Sequence, residues 1–122
     1  MRQLIKSQKK LPEQPLKVEN GGKKITFRCD IFLLEKIKNT LTSQHLAGNY
    51  QYPNLSTLLR LALQAYQEGM PLTYQRESNH PKKEISFRLT DELLSFYQSL
   101  SPHTKTLILE RSLGSYYYQY LT

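Results

Sequence analysis

Two short alternating segments carry the side chains best suited to recognition chemistry. Lys24, Thr26 and Arg28 recur at every second position, and sixty residues further on Glu84, Ser86 and Arg88 do the same. Such alternation puts all three polar groups of a segment on one side of an extended backbone. They offer guanidinium forks, hydroxyls that donate or accept, an ammonium and a carboxylate, which are groups for binding. Reaction chemistry has no comparable constellation. His45, His80 and His103 show no metal-ligand spacing. There is no phosphate-cradling glycine loop, no dinucleotide fingerprint and no nucleophile elbow. Tyr116, Tyr117, Tyr118 and Tyr120 crowd the far end, yet no Arg/His or metal-ligand set accompanies them for tyrosine-based strand cleavage. The chain reads as a non-enzyme, with no cofactor, metal or small-molecule ligand expected.

Composition narrows the class further. The 122 residues include 17 Lys plus Arg against 10 Asp plus Glu, a net charge of +7. That length suits one compact domain or two very small units sharing a core. The longest unbroken apolar run, residues 31–34, is far short of a membrane span, and no apolar stretch follows the basic start as a secretory signal would. One cysteine makes no internal disulfide, so a reducing cytoplasm is the expected compartment. The charge is uneven: residues 1–22 and 23–68 each carry a net +3, residues 69–81 zero and residues 82–122 +1. A basic surplus of this kind favours a polyanionic partner.

The positioning elements follow from a repeat. Residues 23–28 (KKITFR) reappear as residues 83–88 (KEISFR), and Leu33-Leu34 recurs as Leu93-Leu94 at the same offset of sixty. Ser56, Leu59, Leu63 and Tyr66 then match Thr106, Leu109, Leu113 and Tyr116 at an offset of fifty. The ten-residue difference is expected in a loop at residues 45–53. Each copy opens with a period-two segment, a half-buried strand whose inward side chains are Ile25, Phe27 and Cys29, or Ile85, Phe87 and Leu89. A helix follows, capped by Asp30 or Thr90, with Leu33, Leu34, Ile37 and Leu41, or Leu93, Leu94, Tyr97 and Leu100, as its apolar stripe. A second helix opens at Asn54 or Thr104. Leu58, Leu59, Ala62, Leu63 and Tyr66, or Ile108, Leu109, Ser112, Leu113 and Tyr116, line its inner face; Gly69 ends the first copy and the other runs to about Leu121. At the far end Tyr116, Tyr117 and Tyr120 are expected to serve the core, with Tyr118 pointing elsewhere, free to meet further copies of the chain on a shared partner.

The organisation is then a flexible basic arm at residues 1–22, one unit at 23–68, a connector at 69–81 and a second unit at 82–122. About forty residues of strand and two helices cannot bury both stripes alone. Two units can, if their strands pair antiparallel and four helices close one core. A 13-residue connector reaches about 40 Å when extended, enough to bring the strands together. The expected fold is mostly α with a two-stranded antiparallel β-ribbon, an intrachain pseudo-dimer.

This pattern resembles the ribbon-helix-helix family of DNA-binding proteins, the Arc, MetJ and CopG-like regulators, present here in tandem over residues 23–68 and 82–121. The resemblance implies that the ribbon enters the major groove of double-stranded DNA. Lys24, Thr26, Arg28, Glu84, Ser86 and Arg88 would then read base edges. It also implies phosphate contacts at the second-helix N-termini, Asn54, Leu55 and Ser56 in one copy and Thr104, Lys105 and Thr106 in the other. Lys23, Lys82 and Lys83 flank the ribbon and would neutralise backbone charge. General physics agrees, since arginine pairs bidentately with guanine and a helix N-terminus suits a phosphate oxygen. Glu84 stands where the first copy has Lys24, so two unlike half-sites are expected. The expected role is a transcriptional regulator or a plasmid or mobile-element accessory factor, associated with the nucleoid. The alternative is an interaction module or antitoxin whose residues 1–22 bind a partner protein.

Overall fold

The computed structural model describes residues 23–77 and 79–122. The arm expected at residues 1–22 lies outside the described residues. The elements run β1 (Lys24–Asp30), α1 (Ile31–Leu46), α2 (Leu55–Gln67), β2 (Lys82–Arg88), α3 (Asp91–Ser99) and α4 (Lys105–Tyr116), with a π-helical turn at Tyr117–Leu121. The described residues are mostly helical, with one two-stranded antiparallel sheet formed by β1 and β2. No described helix is long and apolar enough to cross a membrane.

Period-two alternation sets the strands as expected. Ile25, Phe27 and Cys29 turn inward on β1, and Phe87 and the following Leu89 do so on β2. Beneath the ribbon, Phe27 and Phe87 meet edge to face, their ring centroids 5.9 Å apart. Such a pair adds about 0.5–1.5 kcal/mol to the area it buries. The register places Lys24 opposite Arg88, Thr26 opposite Ser86 and Arg28 opposite Glu84. Among these outward-facing pairs the middle one is Thr26 and Ser86, the two residues that the sixty-residue offset makes equivalent.

Caps and breakers fix the helices. Asp30 Oδ1 accepts from Phe32 N at 2.9 Å to start α1, and Asn54 Oδ1 accepts from Thr57 N at 2.8 Å to start α2. Thr90 caps α3 through Leu93 N at 3.3 Å, and Asp91 and Glu92 complement the helix dipole there. Gly48 and Gly69, with φ of +85° and +109°, close α1 and α2 in a conformation that a Cβ disfavours. Leu33 and Ile37 of α1 join Leu58, Leu59 and Leu63 of α2 and Leu109 and Leu113 of α4 in one core, with Leu93 and Tyr97 from α3. Each fully buried Leu or Ile contributes about 1.5–3 kcal/mol relative to exposure. Leu34, Tyr66, Leu94, Leu100, Ile108 and Tyr116 are only half-buried, at the margin of the stripes.

Two expectations are corrected. The longer first copy does not spend its extra residues mainly in a loop: α1 has 16 residues against 9 in α3, so seven of the ten continue the helix. Residues 40–46 contain neither Gly nor Pro, and α1 stops only where Gly48 permits the left-handed turn. His45 is thus helical, and its ring Nε2 donates at 3.0 Å to Tyr52 O while the ring stacks on Tyr50. At the other end the π turn changes which tyrosines face inward. Tyr117 and Leu121 are buried, whereas Tyr120 is exposed and rests on Tyr116, ring centroids 4.6 Å apart. The wider turn aligns Leu113, Tyr117 and Leu121 at intervals of four and swings Tyr120 out.

The connector is strapped to the core. Thr73 N and Tyr74 N both donate to Ser115 Oγ, at 2.9 and 3.0 Å, and the Tyr74 ring crosses Gly114 of α4. Tyr74 Oη donates to Asp30 Oδ2 at 2.6 Å, and His80 Nδ1 lies 2.9 Å from the same oxygen. Burial alone would raise the pKa of Asp30. The bonds from His80, Tyr74 and Phe32 N outweigh it and hold the carboxyl below its ordinary value.

Candidate nucleic-acid interface

Strand alternation and a covered inner face push the six ribbon side chains outward. Lys24, Thr26, Arg28, Glu84, Ser86 and Arg88 are all exposed on the same side of the sheet. At 3.3–3.4 Å per residue the seven-residue strands make a blade roughly 20 Å long. Its middle is pinned by a hydroxyl pair, Thr26 Oγ1 and Ser86 Oγ, 2.9 Å apart. Its ends differ in charge. One end sets Lys24 beside Arg88, a like-charged cross-strand pair, with exposed Lys23 preceding it. The other sets Arg28 beside Glu84. Directly opposed cations destabilise a bare ribbon.

Each end also meets a second-helix N-terminus. A groove of about 500 Å³ separates the Lys24 and Arg88 end from α2 and includes Ser56 and Arg60. A groove of about 420 Å³ separates the Arg28 and Glu84 end from α4 and includes Thr106 and Leu107. At α2 the Asn54 side chain caps Thr57 N, and helical geometry leaves the Leu55 and Ser56 N–H groups without an intrahelical acceptor. At α4 the Thr104 hydroxyl caps nothing, and the Thr104 and Lys105 N–H groups both donate to Ser101 O at 3.0 Å. Thr106, exposed, is the residue of that trio whose amide helical geometry leaves without an intrahelical acceptor. Lys105 Nζ sits over the Tyr97 ring, 5.1 Å from its centroid.

The flanking lysines separate. Lys83 is exposed, while Lys82 is half-buried with Nζ 3.7 Å from Glu110 Oε1. Glu110 itself is buried and accepts from Asp30 N at 2.7 Å. Sequence reasoning overlooked it, and overlooked Arg60, buried at the equivalent helix position. Arg60 Nη1 donates to Arg88 O at 3.0 Å and Nη2 to Thr57 Oγ1 at 3.4 Å. Burial lowers the Arg60 pKa from its ordinary value. The signal was present: the offset of fifty aligns Arg60 with Glu110, two charges of opposite sign beside the apolar stripe.

Among the described residues no cluster of three His, Cys, Asp or Glu side chains is placed to hold a metal ion. Cys29, fully buried, has its thiol pushed up to about 12, first by burial and then by the Glu110 and Asp30 carboxylates. Comparison with known proteins yields no matching family model, no matching curated protein and no matching solved structure.

Proposed function

We propose that the chain is a sequence-specific double-stranded DNA-binding protein, a tandem ribbon-helix-helix whose two units form an intrachain pseudo-dimer. The observation that carries this reading is the exposed blade. All six alternating polar side chains stand on one face of a two-stranded ribbon, with the Thr26 and Ser86 pair between the two charged pairs. Such a ribbon fits a major groove about 12 Å wide. Arg28 and Arg88 present forks suited to guanine O6 and N7, Thr26 and Ser86 read by donating or accepting, and Glu84 accepts from cytosine N4. Lys23 and Lys83 supply phosphate charge, and the first turns of α2 and α4 face the same side. The Lys24/Arg88 and Arg28/Glu84 ends read unlike half-sites. A regulator of transcription or an accessory factor of a mobile element is the role that fits such a reader.

The test is selection of bound sequences from a random duplex library, followed by shift assays at increasing salt. Enrichment of an imperfectly palindromic site, with affinity falling steeply as salt rises, is the expected result. No enrichment and no retention on random duplex at low salt would overturn the reading.

A further inference from the structure

We propose that the apolar groove between α1, the start of α2 and the inner side of β2 binds a small aromatic carboxylate, a ligand class that the sequence pattern does not announce. The groove lies behind the blade, so the inference does not rest on what the blade itself binds.

The groove holds about 470 Å³, inside the range of about 300–1,000 Å³ usual for small-molecule sites. Leu34, Ile37 and Leu41 of α1, Leu55 of α2 and Ile85 of β2 form its apolar walls. The repeat shows which group would complete it. The offset of sixty aligns Ile37 with Tyr97 and Ile85 with Ile25, and the offset of fifty aligns Leu55 with Lys105. In the second unit the Tyr97 ring is buried, Lys105 Nζ lies 5.1 Å from its centroid, and Ile25 of the facing strand is buried as well. In the first unit Ile37 is the smaller side chain, Leu55 brings no ammonium, and Ile85 is only half-buried on the open groove. One copy has a ring of its own where the other leaves room for one.

The charges around the groove select the head group. Lys38 and Lys83 line it against a single carboxylate, Glu35. Both lysines are exposed, and neither forms an ion pair among the described residues. His45 closes one side, but its Nε2 is committed to Tyr52 O and its ring to Tyr50, so it serves as a wall. The balance is one positive charge, which favours an anion. A carboxylate has two accepting oxygens and can take a donor from each ammonium. The ring would lie on Ile37, Leu55 and Ile85, and the carboxylate at the lysines.

The test uses the full chain, 13C-labelled at its methyl groups and titrated with 2-naphthoate. The expected result is a saturable shift of the Leu34, Leu41 and Ile85 methyl signals, with magnetisation transfer from the naphthyl protons to Ile85, while Ile25 at the equivalent place stays unmoved. The neutral 2-naphthylmethanol should bind several-fold more weakly, and 2-naphthylmethylammonium more weakly still. Lys38→Glu, at an exposed position, should weaken 2-naphthoate several-fold, and Glu35→Gln should tighten it. Ile37→Tyr copies the second unit and should abolish binding; should that variant fail to fold, the methyl map and the two charge variants still decide. Equal shifts at Ile25 and Ile85, no saturable shift, equal binding of the three head groups or unchanged affinity in Lys38→Glu would overturn the inference. Tighter binding of decanoate than of 2-naphthoate would overturn the assignment of a ring. Contacts from Ile85 to residues 1–22 or to a second copy in the ligand-free chain would show the groove already taken, and would overturn the proposal too.

Discussion

Gly114→Ala offers a sharp test of how the connector is held. In an open helix this change stabilises by about 1 kcal/mol, because glycine is the poorer helix former. Here a Cβ at position 114 would collide with Cγ and Cδ2 of Tyr74 and lie 2.8 Å from its Cβ. The ring cannot yield cheaply, since its hydroxyl is bonded to Asp30 and its backbone N–H to Ser115 Oγ. Overpacking costs about 1–3 kcal/mol, and releasing a hydrogen bond to a carboxylate about 1.5–3 more. After the propensity gain, a net loss of about 2–4 kcal/mol is expected in urea unfolding followed by circular dichroism. In a Tyr74→Gly background, which also removes the Cβ, the obstacle is gone, and the same glycine substitution should become stabilising by about 0.5–1 kcal/mol. A reversal of sign between backgrounds is a result that side-chain propensity alone cannot produce. Equal destabilisation in both backgrounds, or a gain in the wild type, would refute the reasoning.

Other consequences are open to simpler measurements. Arg28→Ala should cost about 1–3 kcal/mol of discrimination between a selected duplex and a scrambled one, whereas Lys23→Ala should weaken both alike; competition shift assays distinguish them, and equal losses for Arg28→Ala would remove it from base reading. Asp30 has a depressed carboxyl pKa in the fold, so its stabilising contribution is present above the ordinary value of 3.8 and is lost as pH falls below it. The stability gap between wild type and Asp30→Asn should therefore narrow in acid below that value, and a gap that widens there would contradict the hydrogen-bond account. Cys29, with its thiol held near 12 and no surface exposure, should resist a thiol-reactive dye at pH 8 until denaturant unfolds the chain. Rapid labelling of the folded protein would place the sulfur elsewhere.

Local regularities made the coarse fold readable. Period two over residues 24–28 and 84–88 marks strands because one face must be apolar and the other solvated, and both strands form where the pattern lies. Asp30, Asn54 and Thr90 were legible as caps because short oxygen-bearing side chains at a strand end or after proline have few other uses there. What escaped depends on contacts distant in sequence. Nothing local announces that Tyr74 will cross Gly114 or that its hydroxyl will reach Asp30, 44 positions away. The extra length of α1 was missed because the whole ten-residue difference was assigned to the polar segment at residues 45–53, although no breaker interrupts the helix before Gly48. Tyr120 was misplaced because a π turn does not follow the 3.6-residue period used to assign faces. For the interface, the exposed set was visible as a pattern. The buried charges Arg60 and Glu110 were not, because a charged residue on a helix is ordinarily read as solvated.

Both strands of the blade hang from one polypeptide. Its assembly is therefore a folding reaction and owes nothing to mass action, so it persists at a dilution where a blade shared between separate subunits would come apart. The arrangement also frees each edge to specialise: a substitution at 24 leaves 84 untouched, a liberty denied to any protein that must write both edges with one codon.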